Sequence, residues 1–535
     1  MQNGRNCITN FSDKLKGIAM RGFVSAVVVA LSLCGAAVAD SAVAVQVDTA
    51  APGAKIDRHI FGQFAEQLGT QIYDGIWVGK NSKIPNTRGI RKDVVAALKA
   101  LHVPLVRWPG GCYADQYHWR DGIGKTHNAR VNASWGNVAD SNAFGTHEFM
   151  DLVEQIGSEA YISLNVGSGT VKEAADWVEY MTAKDSALAK ERAANGHPAP
   201  YKVQFVGLGN ESWDCGGLMT PTFYTDQMKL YARFVNNYNK AAPMHRIAVG
   251  PGFPNTEYTD AVMKTWKERH GWSFDLEGLS IHSYTIGTWP PSHPATGFGE
   301  TDYAFMLNET LKMDSMIAMQ SAAMDKYDPD KKVALVVDEW GAWLAPDPGT
   351  NSAFLRQQNS QRDAVLAALN LNIFARHADR VRAANIAQMV NVLQAMILTG
   401  KDRIVLTPTY HVFKMYVPFQ DATFLPVHFA AGSYRYGDTV LPRVDAIAAK
   451  TKDGKIVIAL INIDPKTAAD FVLDLSGIAA GAAHGEVLSA PQLDAVNTFA
   501  APTTVAPKPA TAAVKDGKLN VAVAAASVMV LVLEK

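Results

Sequence analysis

The chain is poor in cysteine and in net charge. Only four cysteines occur in 535 residues, and 50 Lys and Arg stand against 51 Asp and Glu. Cys7 and Cys34 fall in a leader-like segment, which leaves Cys112 and Cys215, too few for a disulfide scaffold but enough for one bridge or two buried thiols. With a formal net charge of −1 and no long basic run, the chain lacks the electrostatic footprint of a nucleic-acid or anionic-membrane binder. Motifs for several chemistries are missing. After His147-Glu148 the second histidine of a zincin is replaced by Asp151; Gly207-Leu-Gly209 lacks the third glycine of a dinucleotide loop; no Walker A sequence and no Gly-x-Ser-x-Gly elbow occurs. There is no internal repeat. The reading therefore needs no metal and no cofactor, and a neutral substrate such as a sugar fits best.

What is present is material for a large core, since 48% of the residues are hydrophobic and only 19% charged. The N-terminus carries Arg5, Lys14, Lys16 and Arg21, then an apolar run from Val24 to Ala37, then Ala37-Val38-Ala39 before Asp40. This is signal-peptide composition over residues 1–39 and predicts a secreted or periplasmic protein with no membrane attachment in its mature form. Met20 as the start and an uncleaved anchor are the alternatives; bulky Leu33 before Cys34 speaks against lipidation.

From Ile60 to Met396 short apolar runs alternate with helical patterns, the signature of βα units. Eight strands are predicted, at Ile60–Phe64, Val103–Trp108, Ala160–Val166, Val203–Leu208, Arg246–Gly250, Gly278–His282, Val333–Val337 and Arg382–Ile386. Between them Phe149, Leu152, Val153 and Ile156, and likewise Ala174, Trp177, Val178 and Met181, recur at i, i+3, i+4 and i+7, each the apolar stripe of a helix. Eight such strands suit a (β/α)8 barrel, although periodicity alone leaves a doubly wound open sheet in play. After Ile404 short alternating segments, such as Lys455 to Asn462 and Ala526 to Leu533, predict an all-β sandwich, to which Val43 to Val47 adds a strand. The expected division is a leader at 1–39, an N-terminal strand segment at 40–58, a barrel at 59–400 and a β-sandwich at 401–535.

Hydrolysis of a glycosidic bond with retention needs two carboxyl groups across the sugar, roughly 5 to 5.5 Å apart. Val206-Gly-Leu-Gly-Asn210-Glu211 places one directly after an apolar strand, and Ala334-Leu-Val-Val-Asp338-Glu339-Trp340 places another. In a barrel the C-terminal strand ends share one face, so the two would converge. Singly, an acidic residue after a strand is usually a cap or a solvated loop residue; the pair, on strands four and seven, is the stronger signal.

Six segments in order, Phe61-Gly-Gln-Phe-Ala-Glu66, Val106-Arg107-Trp-Pro-Gly-Gly111, Gly209-Asn210-Glu211, Ile281-His282-Ser-Tyr284, Asp338-Glu339-Trp340 and Asn385-Ile-Ala-Gln388-Met-Val-Asn391, resemble glycoside hydrolase family 51. That family is chiefly α-L-arabinofuranosidases. The resemblance implies Glu211 as acid/base and Glu339 as nucleophile. It implies Asn210 on the sugar 2-hydroxyl, Glu66 and Gln388 on other hydroxyls, Tyr284 beside the nucleophile, and Arg107 keeping Glu339 ionised. His282 is read as a supporting group rather than a sugar contact, and Trp289, among several tryptophans near strand ends, as a stacking surface. Cys112 stands where many members carry Asn, which makes it a substrate-side position, and a bridge from Cys112 to Cys215 across the rim is expected to require a Cα separation below about 7 Å. The implied substrate is an arabinofuranosyl-containing oligo- or polysaccharide attacked at its non-reducing end, and a homo-oligomer is implied by resemblance alone. A β-xylosidase or endo-β-1,4-glucanase of the same family, or a non-catalytic carbohydrate-binding protein, are the competing readings.

Overall fold

The computed structural model describes residues 42–271 and 275–535. The leader, Met20, Cys7 and Cys34 lie outside the described residues. Eight parallel strands close into a barrel: β1 (Gly62–Phe64), β2 (Leu105–Trp108), β3 (Glu159–Ser163), β4 (Phe205–Leu208), β5 (His245–Ala248), β6 (Gly278–Thr285), β7 (Ala334–Ala342) and β8 (Val381–Ile386). The open-sheet alternative is thereby excluded, because β8 pairs back onto β1 through Asn385 and Gly62. Strands covered on both faces read as continuous apolar runs, and this is why each was visible in the sequence. Leu105, Tyr161, Phe205, Ile247, Val336 and Ala383, one from each of six strands, fill the barrel interior.

The helices pack outside. α1 (Lys92–Ala100) follows β1, and α2 (Thr146–Ile156) buries Phe149, Leu152, Val153 and Ile156 and stops at Gly157, whose φ of 76° suits a residue without a Cβ. α3 (Val171–Thr182) is capped by Thr170, which accepts from the Glu173 N–H, and is followed by α4 (Ala187–Ala194). α5 (Pro221–Phe234), α6 (Glu257–Arg269) and α7 (Glu300–Asp325) continue the ring. α8 (Gln361–Arg376) differs from them, being buried on every side from Gln361 to Ala375. The second unit of structure covers its outer face, and Gln361 and Asn372 reach across to the Ala526 carbonyl at 2.7 Å and to Asp445 at 2.8 Å.

That second unit is a ten-stranded all-β sheet around its own core of Val45, Leu460, Phe471, Leu473, Leu519 and Leu531. Val43–Val47 belongs to it, lying parallel to Ala469–Asp474 and antiparallel to Val427–Phe429. The first strand begins at Gly62, with Ile60 and Phe61 in the helical turn Arg58–Phe61 before it, and two larger details differ from expectation. α9 (Pro408–Met415) lies in the stretch read as entirely β, started by Thr407 as cap with Pro408 at its first position, where proline suits a helix. β7 runs on to Ala342 instead of ending before Asp338, because β6 also continues to Thr285 and pairs with it.

Candidate active site

The sequence-predicted residues meet at the C-terminal mouth of the barrel. β6 and β7 pair in step up to Ile281 opposite Val337, after which His282 stands opposite Glu339, so Asp338 is an extra residue in β7. Such a bulge re-aims the side chains that follow it. Its result is that two consecutive residues of one strand reach the same cation: Arg107 on β2 lies 3.8 Å from Asp338 and donates to Glu339 Oε1 at 2.7 Å. The other arm of the guanidinium donates to Asn210 Oδ1 at 2.7 Å. Tyr284 donates to Glu339 Oε2 at 2.8 Å. Gly111 is fixed by this crowding, since a Cβ there would come within 2.6 Å of Glu339 Oε1.

Glu211 is delivered differently. The chain leaves β4 through Gly209 at φ 102°, and Glu211 itself sits at φ 36°, a backbone state that side-chain-bearing residues rarely adopt. The turn is held by Asp214 and Gly216 donating to the Glu211 carbonyl at 2.8 and 3.0 Å. Buried Asp115 fixes its root, accepting from the backbone N–H of Val166, Gly167 and Asn210 and so tying the loops after β2, β3 and β4 together. His282 Nδ1 shares a hydrogen bond of 2.8 Å with Glu211 Oε1 and lies 3.6 Å from Glu339 Oε2. One oxygen of each glutamate and a ring nitrogen of His282 all fall within 4.8 Å of one another.

The two carboxyls experience opposite fields. Burial pushes Glu339 upward, but His282, Arg107 and the hydrogen bonds from Arg107 and Tyr284 outweigh it and hold the group below the usual glutamate range. Burial pushes Glu211 upward, and the Glu339 charge adds to that against the His282 hydrogen bond, so Glu211 is raised. His282 is itself raised, its burial being overcome by the two carboxylates. Glu66 is pushed up to about 7 by burial and then by Glu339.

Glu66 accepts from the Gly111 and Tyr113 N–H at 3.0 and 3.1 Å and from Gln388 Nε2 at 2.9 Å. Gln388 Oε1 is buried without a partner in the pocket wall. Cys112 also lines this pocket and is joined to Cys215, with Cα atoms 5.5 Å apart, inside the limit set above. The Cys215 sulfur lies 3.4 Å from Glu211 Oε2. Joined sulfurs offer no thiolate to a metal, and His282 Nδ1 is already engaged, so neither cluster of close-lying ligand atoms here is arranged for an ion.

Trp289 is not brought in. It is 74% exposed and touches the site only by its edge against Trp343, ring centroids 5.3 Å apart. Trp135, Trp343, Leu355 and Leu393 line the pocket instead. Asp115, Trp135, Leu355 and Leu393 carried no signal in the sequence, for they stand in loops without a periodic pattern; Trp343, four residues beyond Glu339 at a strand end, carried a weak one.

A closed parallel barrel that faces two glutamates across a pocket, the one on strand seven held below the usual carboxylate range and the one after strand four raised above it, defines a retaining glycoside hydrolase. The comparisons narrow the class. Residues 97–284 match the family model of the α-L-arabinofuranosidase 1 domain and residues 338–527 that of the α-L-arabinofuranosidase C-terminal domain. An intracellular exo-α-L-arabinofuranosidase of Bacteroides ovatus is 45% identical over 485 residues, covering 90% of this chain and 93% of the relative. The crystal structure of the family 51 arabinofuranosidase from Xanthomonas axonopodis pv. citri superposes with a TM-score of 0.90 at 51% identity, covering 92% of this chain and all of that one. The arabinose complex of the Thermotoga maritima α-L-arabinofuranosidase gives 0.78 at 29% identity, with 92% and 100% covered. The chain belongs to glycoside hydrolase family 51, the α-L-arabinofuranosidases.

The same comparisons correct one expectation. The Bacteroides ovatus relative is named an intracellular enzyme, against the secreted or periplasmic placement read from the leader. That placement rested on the composition of residues 1–39 alone, and a charged, apolar and small-residue sequence is not evidence that a leader is cleaved; it is withdrawn. Among the described residues no helix is long and apolar enough to cross a membrane.

Proposed function

We propose that the chain removes terminal non-reducing α-L-arabinofuranosyl residues from oligo- or polysaccharides by double displacement, with Glu339 as nucleophile and Glu211 as acid/base. The observation that carries this is the facing pair with opposed shifts, Glu211 raised and Glu339 lowered, an oxygen of each lying within 4.8 Å of the other. Glu211 protonates the leaving oxygen while Glu339 Oε2 or Oε1 attacks the anomeric carbon. Once the glycosyl-enzyme forms, Glu339 no longer bears a charge, one cause of the raised Glu211 pKa disappears, and Glu211 then deprotonates the incoming water. Arg107 and Tyr284 hold the nucleophile ionised and oriented. Asn210 Oδ1 accepts from Arg107 and its Nδ2 makes only a long contact of 3.7 Å to Cys215 Sγ, which leaves an amide hydrogen to donate to the sugar 2-hydroxyl as positive charge develops on the ring. Glu66 and the free Gln388 Oε1 take further hydroxyls.

The test is methanolysis of 4-nitrophenyl α-L-arabinofuranoside followed by NMR. Methyl α-L-arabinofuranoside as first product supports the mechanism, and the β anomer overturns it. A kcat/KM more than about tenfold higher on the β-D-xyloside, about 1.4 kcal/mol in the transition state, would move the enzyme to the competing specificity. Assembly into a homo-oligomer is supported by the apolar stripe of Phe223, Leu230 and Phe234 along α5, each about half exposed. A monomer mass by light scattering would refute it.

A further inference from the structure

Two leucines in the pocket wall occupy a backbone state that leucine disfavours. Leu355 has φ 49° and Leu393 has φ 48°, in the left-handed region where glycine or asparagine is the ordinary choice. Leu355 stands in the loop after β7 and Leu393 in the loop after β8, and the Leu393 N–H donates to the Leu355 carbonyl at 2.9 Å, joining the loops. Both side chains are buried, at 9% and 1% exposure, in a small apolar cluster with Phe64, Leu68, Ala387 and Val392. Both face the catalytic pocket beside Gln388. A strained position kept by a large apolar side chain at a site is a sign that the side chain itself has a task there.

The task follows from the chemistry of the wall. Glu66, Gln388, Tyr284 and the two catalytic carboxyls line the pocket with hydrogen-bonding groups for sugar hydroxyls, whereas Leu355 and Leu393 supply none. A surface of C–H groups is complementary to C–H groups on the sugar, and any hydroxyl pressed against it loses its water without a replacement. We propose that Leu355 and Leu393 form the wall that closes the glycone pocket against extension of a terminal pentofuranose, either by one more carbon or by a further sugar residue. They are specificity-determining residues, and they restrict the enzyme to chain ends by shape. This inference rests on the arabinofuranosidase reading above.

A β-D-galactofuranoside is the suitable probe, since it has the ring configuration of an α-L-arabinofuranoside and differs by one hydroxymethyl group on C5. The kcat/KM values of the 4-nitrophenyl glycosides of both sugars would be measured on the full chain and on Leu355→Ala, Leu393→Ala, Leu355→Val and Leu393→Val. The ratio of the two values is independent of how much of a preparation is folded, so a partly unfolded variant still answers. In both alanine variants the galactofuranoside-to-arabinofuranoside ratio is expected to rise by about tenfold or more, with the valine variants between them and the parent. A ratio within about twofold of the parent in all four variants overturns the proposal and leaves the leucines as packing residues. No hydrolysis of the arabinofuranoside by the unsubstituted chain would instead sink the parent reading, a result distinct from an unchanged ratio.

Discussion

Glu339 stands inside a strand paired on both sides, with its carboxylate 8% exposed and both oxygens accepting hydrogen bonds from fixed donors. Glu211 stands on a turn outside its strand, at a strained φ, 17% exposed and with one hydrogen bond from a titratable partner. The contrast matches what each must do. A nucleophile is needed in one protonation state and one place, and a rigid strand next to a permanent cation provides both. An acid/base must change state twice in each turnover, and a group whose neighbours change charge with it can do so. The same residue type is thus tuned by the element that carries it.

The contrast breaks most sharply on removal of either carboxyl. Glu339→Ala is expected to lower kcat by at least about 10⁴-fold whatever the leaving group, because no covalent step remains. Glu211→Ala should cost about 10³-fold on an arabino-oligosaccharide but far less on a 4-nitrophenyl glycoside, whose leaving group needs little protonation. Azide should rescue the two variants to products of opposite anomeric configuration, and identical products would show that the roles are misassigned.

Next in size is Arg107→Met. Arg107 is 1% exposed and is the permanent cation facing Glu339 and Asp338, so its loss leaves two carboxyls buried against an apolar side chain. Activity should fall by about 10²-fold or more, and the Tm should fall as well. The acidic limb of the kcat/KM profile reports the ionised Glu339, whose pKa is held low; without Arg107 that limb must move to higher pH. An acidic limb that stays in place would assign the depression to His282 and Tyr284. Tyr284→Phe removes one hydrogen bond to Glu339 Oε2 and should act in the same direction at smaller scale, roughly tenfold in kcat/KM.

Much of this frame was legible without coordinates. Barrel strands are buried on both faces, so their apolar runs stand out, and strand ends that carry Asn210-Glu211 and Asp338-Glu339 mark the catalytic face. What stayed hidden is set by pairs of elements and not by runs of residues. The extra residue Asp338 exists only relative to β6. The complete burial of α8 exists only because the all-β sheet covers it. The left-handed leucines carry no mark, since nothing in Leu355 or Leu393 announces a positive φ. Trp289 reads as a stacking surface because it is aromatic and near a strand end; in the fold it stands 74% exposed with its edge against Trp343, outside the residues that line the pocket.

The smallest expected effect concerns the bridge that joins the loop after β2 to the Glu211 turn. Cys112–Cys215 closes a separation of 103 residues, for which chain entropy sets an upper bound of about 4–5 kcal/mol on its stabilisation. Its sulfurs also press on Glu211 Oε2, at 3.4 Å from Cys215, as bulky weakly polar neighbours that help to keep water from the acid. Two thiols occupy nearly the same space, and Asp115 holds the root of the turn through backbone donors independently of the bridge. Dithiothreitol is therefore expected to lower the Tm by several degrees while kcat/KM stays within about threefold. The alkaline limb, set by protonated Glu211, should drift to slightly lower pH as the opened bridge admits water. A large loss of kcat/KM at unchanged KM would show that the Glu211 turn, unlike the strand that carries Glu339, depends on the bridge for its geometry.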